Sequence, residues 1–452
     1  MFSFAFLPLL LALPGAFAAP TCSRKPSTTS SGSAAASTST SISTGSSSNS
    51  TGSGNITKVA ASWFTGWHTS LGGGTPAFDV ANVTWSNYTH VIYSFAETSA
   101  NGSLVLQDTD VEGLKTFVAA AHNNSVKALL SIGGWTGSVY FSSNVGSAAN
   151  RTKFVKAAAD AVKTYNLDGL DFDWEYPASP NGLSCNIVNK ADTANYLSFF
   201  TELRNSTAKD LIITATAVTP WNDATEAIST TGMAPFAKVL DWVSIMDYDV
   251  WGPGYGAGTV GPNAPLADKC ADKANQLGSA TDYVQQWTTA GFPANQLVLG
   301  VASYGHGYEV AKADAFEADG KTLAAYPKYN GNVNITGDAW DLGELTADVC
   351  GNPGVRSGVF DFWGLVDGGF LTKDGAPNSA SSEIAYRFDN CSQTAYVYNS
   401  TSKIMVSYDD VPSMTAKGQF IAKQDLLGFA FWETGGDHND LLLNAARTGM
   451  GI

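Results

Sequence analysis

The segment Asp168-Gly169-Leu170-Asp171-Phe172-Asp173-Trp174-Glu175-Tyr176-Pro177 alternates two chemistries. Asp171, Asp173 and Glu175 are spaced by two, so on a β-strand they share one face, while Leu170, Phe172 and Trp174 share the other. Large apolar side chains suit a face packed against helices. The carboxylates then look inward, as a ladder rising toward the C-terminal end of the strand. Such a ladder is costly, because neighbouring carboxylates in a partly desolvated site cannot all ionise. A carboxyl kept protonated near neutral pH is what a general acid needs. The competing readings are a solvated acidic loop and a divalent-metal site. A solvated loop has no reason to interleave Leu, Phe and Trp, and a calcium loop is richer in Gly and Asn with ligands at turn spacing.

Outward from this segment the chain shows eight short apolar, β-branched runs: Val59–Trp63, His90–Phe95, Val126–Ile132, Gly169–Glu175, Leu211–Ala217, Trp242–Tyr248, Leu297–Ser303 and Leu427–Phe431. Amphipathic stretches lie between them, among them Val111–His122, Ala148–Tyr165, Ala194–Arg204 and Ser279–Ala290. Eight runs with intervening helices, and polar residues gathered at the C-terminal ends of the runs, predict a closed parallel (β/α)8 barrel rather than an open doubly wound sheet. The gap between the seventh and eighth runs, roughly a hundred residues or more, is too long for a loop. Tyr396–Tyr398 and Met405–Tyr408 read as strands within it and Ser381–Phe388 as helical, so a small α+β insertion over about residues 307–406 is expected.

The chain has 452 residues, 44% hydrophobic, with a formal charge of −15. That balance excludes nucleic acid and anionic membrane surfaces as partners and suits a neutral or cationic one. The 12 Trp serve either a large core or the stacking of sugar rings. Residues 1–18 read as a signal peptide ending in Ala16-Phe17-Ala18, and no later segment is apolar enough to span a bilayer. Residues 19–57, mostly Ser, Thr, Gly and Ala, read as a disordered linker, either a stalk or a relic, followed by one large domain over 58–452. The sequons at Asn82, Asn87, Asn205 and Asn334 agree with secretion, either into the medium or to the cell wall. No C-x-x-C pair is present, so neither zinc nor another cofactor is expected. Cys185–Cys270 and Cys350–Cys391 are the expected disulfides, from their placement in loops after strands, with Cys22 left over.

The carboxylate segment resembles the D-x-x-D-x-D-x-E signature of glycoside hydrolase family 18, the chitinases and their relatives. Other landmarks follow in that family's order: Ser131-Ile132-Gly133-Gly134 at the third strand, Met246-Asp247-Tyr248-Asp249 at the sixth, Gly300 to Gly305 at the seventh, Ser407-Tyr408-Asp409-Asp410 at the return from the insertion, and Trp432 at the end of the eighth. The likeness covers roughly residues 58–446 and is nearest to fungal secreted chitinases. It implies a TIM barrel and hydrolysis of β-1,4 N-acetylglucosamine linkages, within the chain or from its ends, with retention through the substrate's own acetamide. It implies Glu175 as general acid and base, Asp173 as holder of the acetamide N–H, Asp171 as its proton-sharing neighbour, and Tyr248 on the acetamide carbonyl. Trp432 is implied as floor of the reacting sugar. Asp249, Met246, Trp135, Tyr176, Tyr304 and Trp63 are implied as further substrate contacts, and Trp251 as a sugar platform. Asp168 is expected to hold the start of its strand, and Ser131, Gly133 and Gly134 to serve the backbone.

Two departures stand out. Ser62, Trp63 and Phe64 replace the Gly-Tyr pattern of many relatives, and His306 stands where many carry Arg after Tyr-Gly. The expected partner is chitin or its oligosaccharides and the expected state a monomer. Two other functions fit the same motifs: an endo-β-N-acetylglucosaminidase acting on N-glycans, and a non-catalytic chitin-binding lectin.

Overall fold

The computed structural model describes residues 58–256 and 258–452. The expected signal peptide, the Ser/Thr-rich linker and Cys22 lie outside the described residues. The apolar runs form eight parallel strands: Val59–Thr65, His90–Thr98, Lys127–Gly133, Gly169–Asp173, Ile212–Ala217, Trp242–Met246, Leu297–Ala302 and Gly428–Trp432. The first strand pairs in parallel with both the second and the eighth, so the sheet closes on itself. Closure makes this a (β/α)8 barrel and excludes the open doubly wound sheet.

Alternation along each strand divides the core into two layers. Outward, Leu170, Phe172 and Trp174 are buried against the helices Ala148–Tyr165 and Asp192–Ser206. Phe172 meets Phe199 edge-on at 5.2 Å and Trp174 stacks on Phe141 at 5.2 Å. Inward, Trp63, Ile92, Leu129, Trp242, Val298 and Ala430 pack together inside the barrel. Asp168 anchors the foot of the fourth strand: its carboxylate accepts hydrogen bonds from the Lys127 ammonium at 2.7 Å and the Ala128 amide at 3.0 Å, and lies 2.8 Å from His122 Nε2.

The insertion is a second sheet of five antiparallel strands in the order Val359–Asp361, Tyr304–Glu309, Ile404–Tyr408, Thr394–Asn399, Ile384–Asp389. It starts at Tyr304, with Ser303 alone between it and the end of the seventh barrel strand. Residues 384–389, expected to be helical, are instead its edge strand. Ile384, Tyr386 and Phe388 alternate with Ala385, Arg387 and Asp389 at period two, and pairing with Thr394–Asn399 supplies the missing hydrogen bonds.

Asp410 caps the return helix Val411–Lys423 by accepting from the Ser413 amide at 2.9 Å. One turn on, Lys417 is buried with its ammonium 2.6 Å from the Asp409 carboxylate.

The disulfides are Cys185–Cys350 and Cys270–Cys391, which corrects the expected pairing of Cys185 with Cys270 and Cys350 with Cys391. Cys185 follows the fourth barrel strand and Cys270 the sixth, whereas Cys350 and Cys391 both belong to the insertion. Each bridge therefore fastens one barrel loop to the insertion.

Candidate active site

Register on the fourth strand sets the ladder: Asp171 lies opposite Ser131 and Thr214, and Asp173 opposite Gly133 and Thr216. Asp171 is fully buried and well supplied with donors. Thr214 Oγ1 reaches it at 2.6 Å, Ser131 Oγ at 2.8 Å and Trp63 Nε1 at 3.1 Å. Burial still holds its pKa above the ordinary carboxylate value, with those donors opposing. Asp173 is different. Its buried Oδ1 has no hydrogen-bond partner among the described residues. Burial, then the charges of Glu175 and Asp171, push its carboxyl well above the ordinary range.

Glu175 lies just past the strand, which ends at Asp173. Its backbone is fixed on both sides: the N–H donates to Ser138 Oγ at 2.9 Å and the carbonyl accepts from Asn186 Nδ2 at 2.7 Å. Burial in the cleft raises its pKa to about 7; a Tyr176 hydrogen bond opposes this and the Asp249 charge adds to it. A carboxyl that is still protonated near neutral pH is thus held at the barrel mouth. Gly133, at φ 112°, passes so close that a Cβ would lie 2.1 Å from the Asp173 carbonyl, so only glycine fits there.

The ladder opens into a cavity of about 610 Å³ whose walls include Trp67, Phe95, Trp135, Met246, Tyr248 and Trp432. Trp432 stacks on Phe95 at 5.6 Å. A second cavity, about 300 Å³, lies along the same Trp432 and is lined by His68, Asp338, Trp340, Asp361 and Glu433. Asp249 borders both. Its Oδ1 accepts from the Tyr304 hydroxyl at 2.7 Å and lies 2.7 Å from His306 Nε2. Burial opposes its ionisation, but these contacts outweigh it and its pKa falls below the ordinary value.

The structure thus gathers Asp173, Glu175, Met246, Tyr248, Asp249, Trp135 and Trp432 around one cavity. Tyr304 lines the second cavity, and Tyr176 faces a separate groove with Tyr255 and Asp249. Trp63 is placed otherwise than expected: at 1% exposure it lies beneath the cleft, and it touches Asp171 rather than open space. Trp251, the other expected platform, is buried against Tyr326. Ser131 does more than serve the backbone, since its hydroxyl binds Asp171. Sequence reasoning missed Trp67, His68, Glu97 and Glu433. All four stand at or just past the C-terminal ends of barrel strands, the signal that could have found them.

A closed (β/α)8 barrel with a protonatable glutamate above a buried aspartate ladder, in an aromatic cleft, defines a glycoside hydrolase. Residues 59–437 match the family described as Glycosyl hydrolases family 18, and the chain belongs to that family. Two curated relatives are both named chitinase-like effector. The one from Moniliophthora roreri is 47% identical over 395 residues, covering 87% of this chain and 93% of that protein. The one from Moniliophthora perniciosa is 44% identical over 408 residues, covering 88% of this chain and 89% of that protein. The crystal structure of a chitinase from Rhizomucor miehei superposes with a TM-score of 0.76 at 32% identity, over 87% of this chain and all (100%) of that one.

Proposed function

We propose that this protein is a chitinase, hydrolysing β-1,4 linkages between N-acetylglucosamine units with retention of configuration. The carrying observation is the pair formed by Asp173, whose buried Oδ1 awaits a donor, and Glu175, whose carboxyl keeps its proton up to about pH 7. Glu175 gives its proton to the glycosidic oxygen. The substrate's own acetamide oxygen attacks the anomeric carbon, and the acetamide N–H donates to Asp173. Positive charge develops on the resulting oxazolinium ring, and the Asp171–Asp173 ladder offsets it. Tyr248 holds the acetamide oxygen in line for attack, and Trp432 forms the floor beneath the ring. Water then opens the ring, with Glu175 now taking its proton. Met246, Asp249, Tyr304, Trp135 and Tyr176 hold the sugars on either side. Trp63 acts through Asp171.

The enzyme works as a monomer outside the cell, in the medium or at a cell wall, on chitin or its oligosaccharides. Among the described residues no helix is long and apolar enough to cross a membrane.

The test is hydrolysis of colloidal chitin and of a fluorogenic chitobioside by the protein and by Glu175→Gln. The variant is expected to lose roughly 10²–10⁴-fold in turnover and to keep binding. Binding without turnover in both proteins would make the chain a lectin, an outcome worth including because two relatives are named chitinase-like effectors. Release of whole N-glycans without chitin cleavage would make it an endoglycosidase.

A further inference from the structure

His68 joins the ends of two barrel strands to the insertion. It closes the short turn Gly66–His68 directly after the first barrel strand. Its carbonyl accepts from the Phe78 amide at 2.8 Å, which holds the turn to its own loop. Its Nδ1 lies 2.8 Å from Glu433 Oε1, just past the end of the eighth strand. Glu433 is itself fixed: its N–H donates to Ser303 Oγ at 2.8 Å, and that hydroxyl donates back to the Glu433 carbonyl at 2.7 Å. The imidazole is thus mounted on barrel residues from both sides.

What the mount carries belongs to the insertion. Trp340, on the turn Ala339–Leu342, stacks on the imidazole with ring centroids 3.7 Å apart and planes 19° from parallel. Its indole N–H donates to the Pro76 carbonyl at 2.7 Å, on the same barrel loop. One hydrogen bond at an edge places a ring but leaves its tilt free; a face-on partner fixes the tilt. Trp363 meets Trp340 edge-on at 5.1 Å, but it too belongs to the insertion and gives no bearing on the barrel. Among the described residues His68 is the one barrel ring against Trp340. Trp67 does not depend on His68 in this way, because it also stacks on Phe95 at 6.1 Å and lies 6.3 Å from Trp432.

Trp340 and Trp432 line the second cavity, and Trp432 lines the first as well. A chain that extends past the reacting sugar into the second cavity therefore meets the face of Trp340. The tilt of that face decides how much of a pyranose it can cover.

We propose that His68 is a positioning residue: by holding Trp340 at a fixed tilt, it sets a preference for long chains over short ones. This deepens the chitinase reading and rests on its claim that N-acetylglucosamine chains fill the cleft. His68 needs no contact with sugar for this; it acts through Trp340.

The test is steady-state kinetics of the full-length protein on N-acetylglucosamine oligomers from chitotriose to chitohexaose. His68→Gln keeps a donor for Glu433 and removes the stacking face. KM for chitohexaose is expected to rise roughly three- to tenfold, the scale of one aromatic pair, with a smaller rise for chitotriose and kcat changing less than KM. His68→Phe restores the face and is expected to recover most of the loss. In a Trp340→Leu background His68→Gln is expected to add nothing, because the ring it positions is gone. If the Phe variant does not fold, the Gln variant and its pairing with Trp340→Leu decide. An unchanged KM at every length, an equal fall in kcat at every length, or a fully additive effect on Trp340→Leu overturns the inference. If the unaltered protein cleaves no oligomer, the chitinase reading fails. The same variants are then compared by the Kd of each oligomer in calorimetry, where the same pattern upholds the positioning role and a length-independent change, or none, overturns it.

Discussion

His306 Nε2 lies 2.7 Å from Oδ1 of Asp249, the carboxylate that borders both cavities. The imidazole is buried between Tyr255 and Tyr304, with ring centroids at 6.1 and 5.8 Å. A short, buried side chain thus orients the Asp249 carboxylate at the edge of the cleft.

His306→Ala leaves Asp249 with Tyr304 as its one side-chain donor. Loss of a hydrogen bond to a charged group costs about 1.5–3 kcal/mol, so kcat/KM on chitotetraose should fall roughly 10- to 100-fold. His306→Gln restores a donor and should recover part of it. Unchanged kinetics in the Ala variant would show that Asp249 needs no orientation.

The acid proton of Glu175 sets the alkaline limb of the rate profile. Its pKa is raised to about 7, so the active protonated form is present below that pH and is lost above it. The Asp249 charge helps raise that pKa. Asp249→Asn removes the charge, so the limb should move to lower pH in a profile of residual kcat/KM. A limb that stays in place or moves up contradicts the assignment.

Trp63→Phe keeps a ring beneath Trp432, 6.1 Å from Trp63 in the native packing, but deletes the N–H given to Asp171. The remaining donors oppose the effect of burial less, so the Asp171 pKa rises further. An unfolding cost of about 1–3 kcal/mol is expected in denaturant titration, with kcat falling more than KM changes. A fall confined to KM would mean that Trp63 contacts substrate directly.

Lys417→Met removes the buried partner of Asp409 and the nearest counter-charge acting on Asp247, whose two oxygens have no hydrogen-bond partner among the described residues. Burial first, with Asp409 and Asp268 adding and Lys417 opposing, raises the Asp247 pKa to about 8. Stripping one member from a buried pair costs about 3–5 kcal/mol. Asp247, with its folded value raised, contributes stability that is complete below the unfolded carboxylate pKa and lost as pH rises toward 8, and the raised Asp409 acts in the same direction. The variant's Tm deficit should therefore be larger at pH 8 than at pH 5. A deficit independent of pH would remove the electrostatic explanation.

The barrel and its ladder were legible because they rest on local rules. Period two places Asp171, Asp173 and Glu175 on one face whatever the partner strands are. The helix Ala148–Tyr165 carries its own limits, with Ser147 accepting from the Asn150 amide at one end and Asn166 left-handed at the other. What stayed hidden depends on distant segments. Cys185 meets Cys350 across 165 residues, and spacing does not encode that encounter. Residues 384–389 become a strand because Thr394–Asn399 offers its edge. Trp63 and Trp135 look alike in sequence; only packing leaves the first 1% exposed beneath the cleft and the second 48% exposed on its wall. The acidic second cavity is assembled from His68, Asp338, Asp361 and Glu433, which no single stretch of chain brings together.

The two disulfides set the gape of the cleft. The insertion leaves the barrel at Tyr304 and returns at Tyr408, and a lobe held only at these crossings would pivot like a hinged jaw. Cys185–Cys350 and Cys270–Cys391 pin it covalently to two further, separate loops, which removes the pivot. The jaw is thus held near one width, and the cleft meets its chain at a fixed gape. Girth, as well as chemistry, then screens which chains reach Glu175.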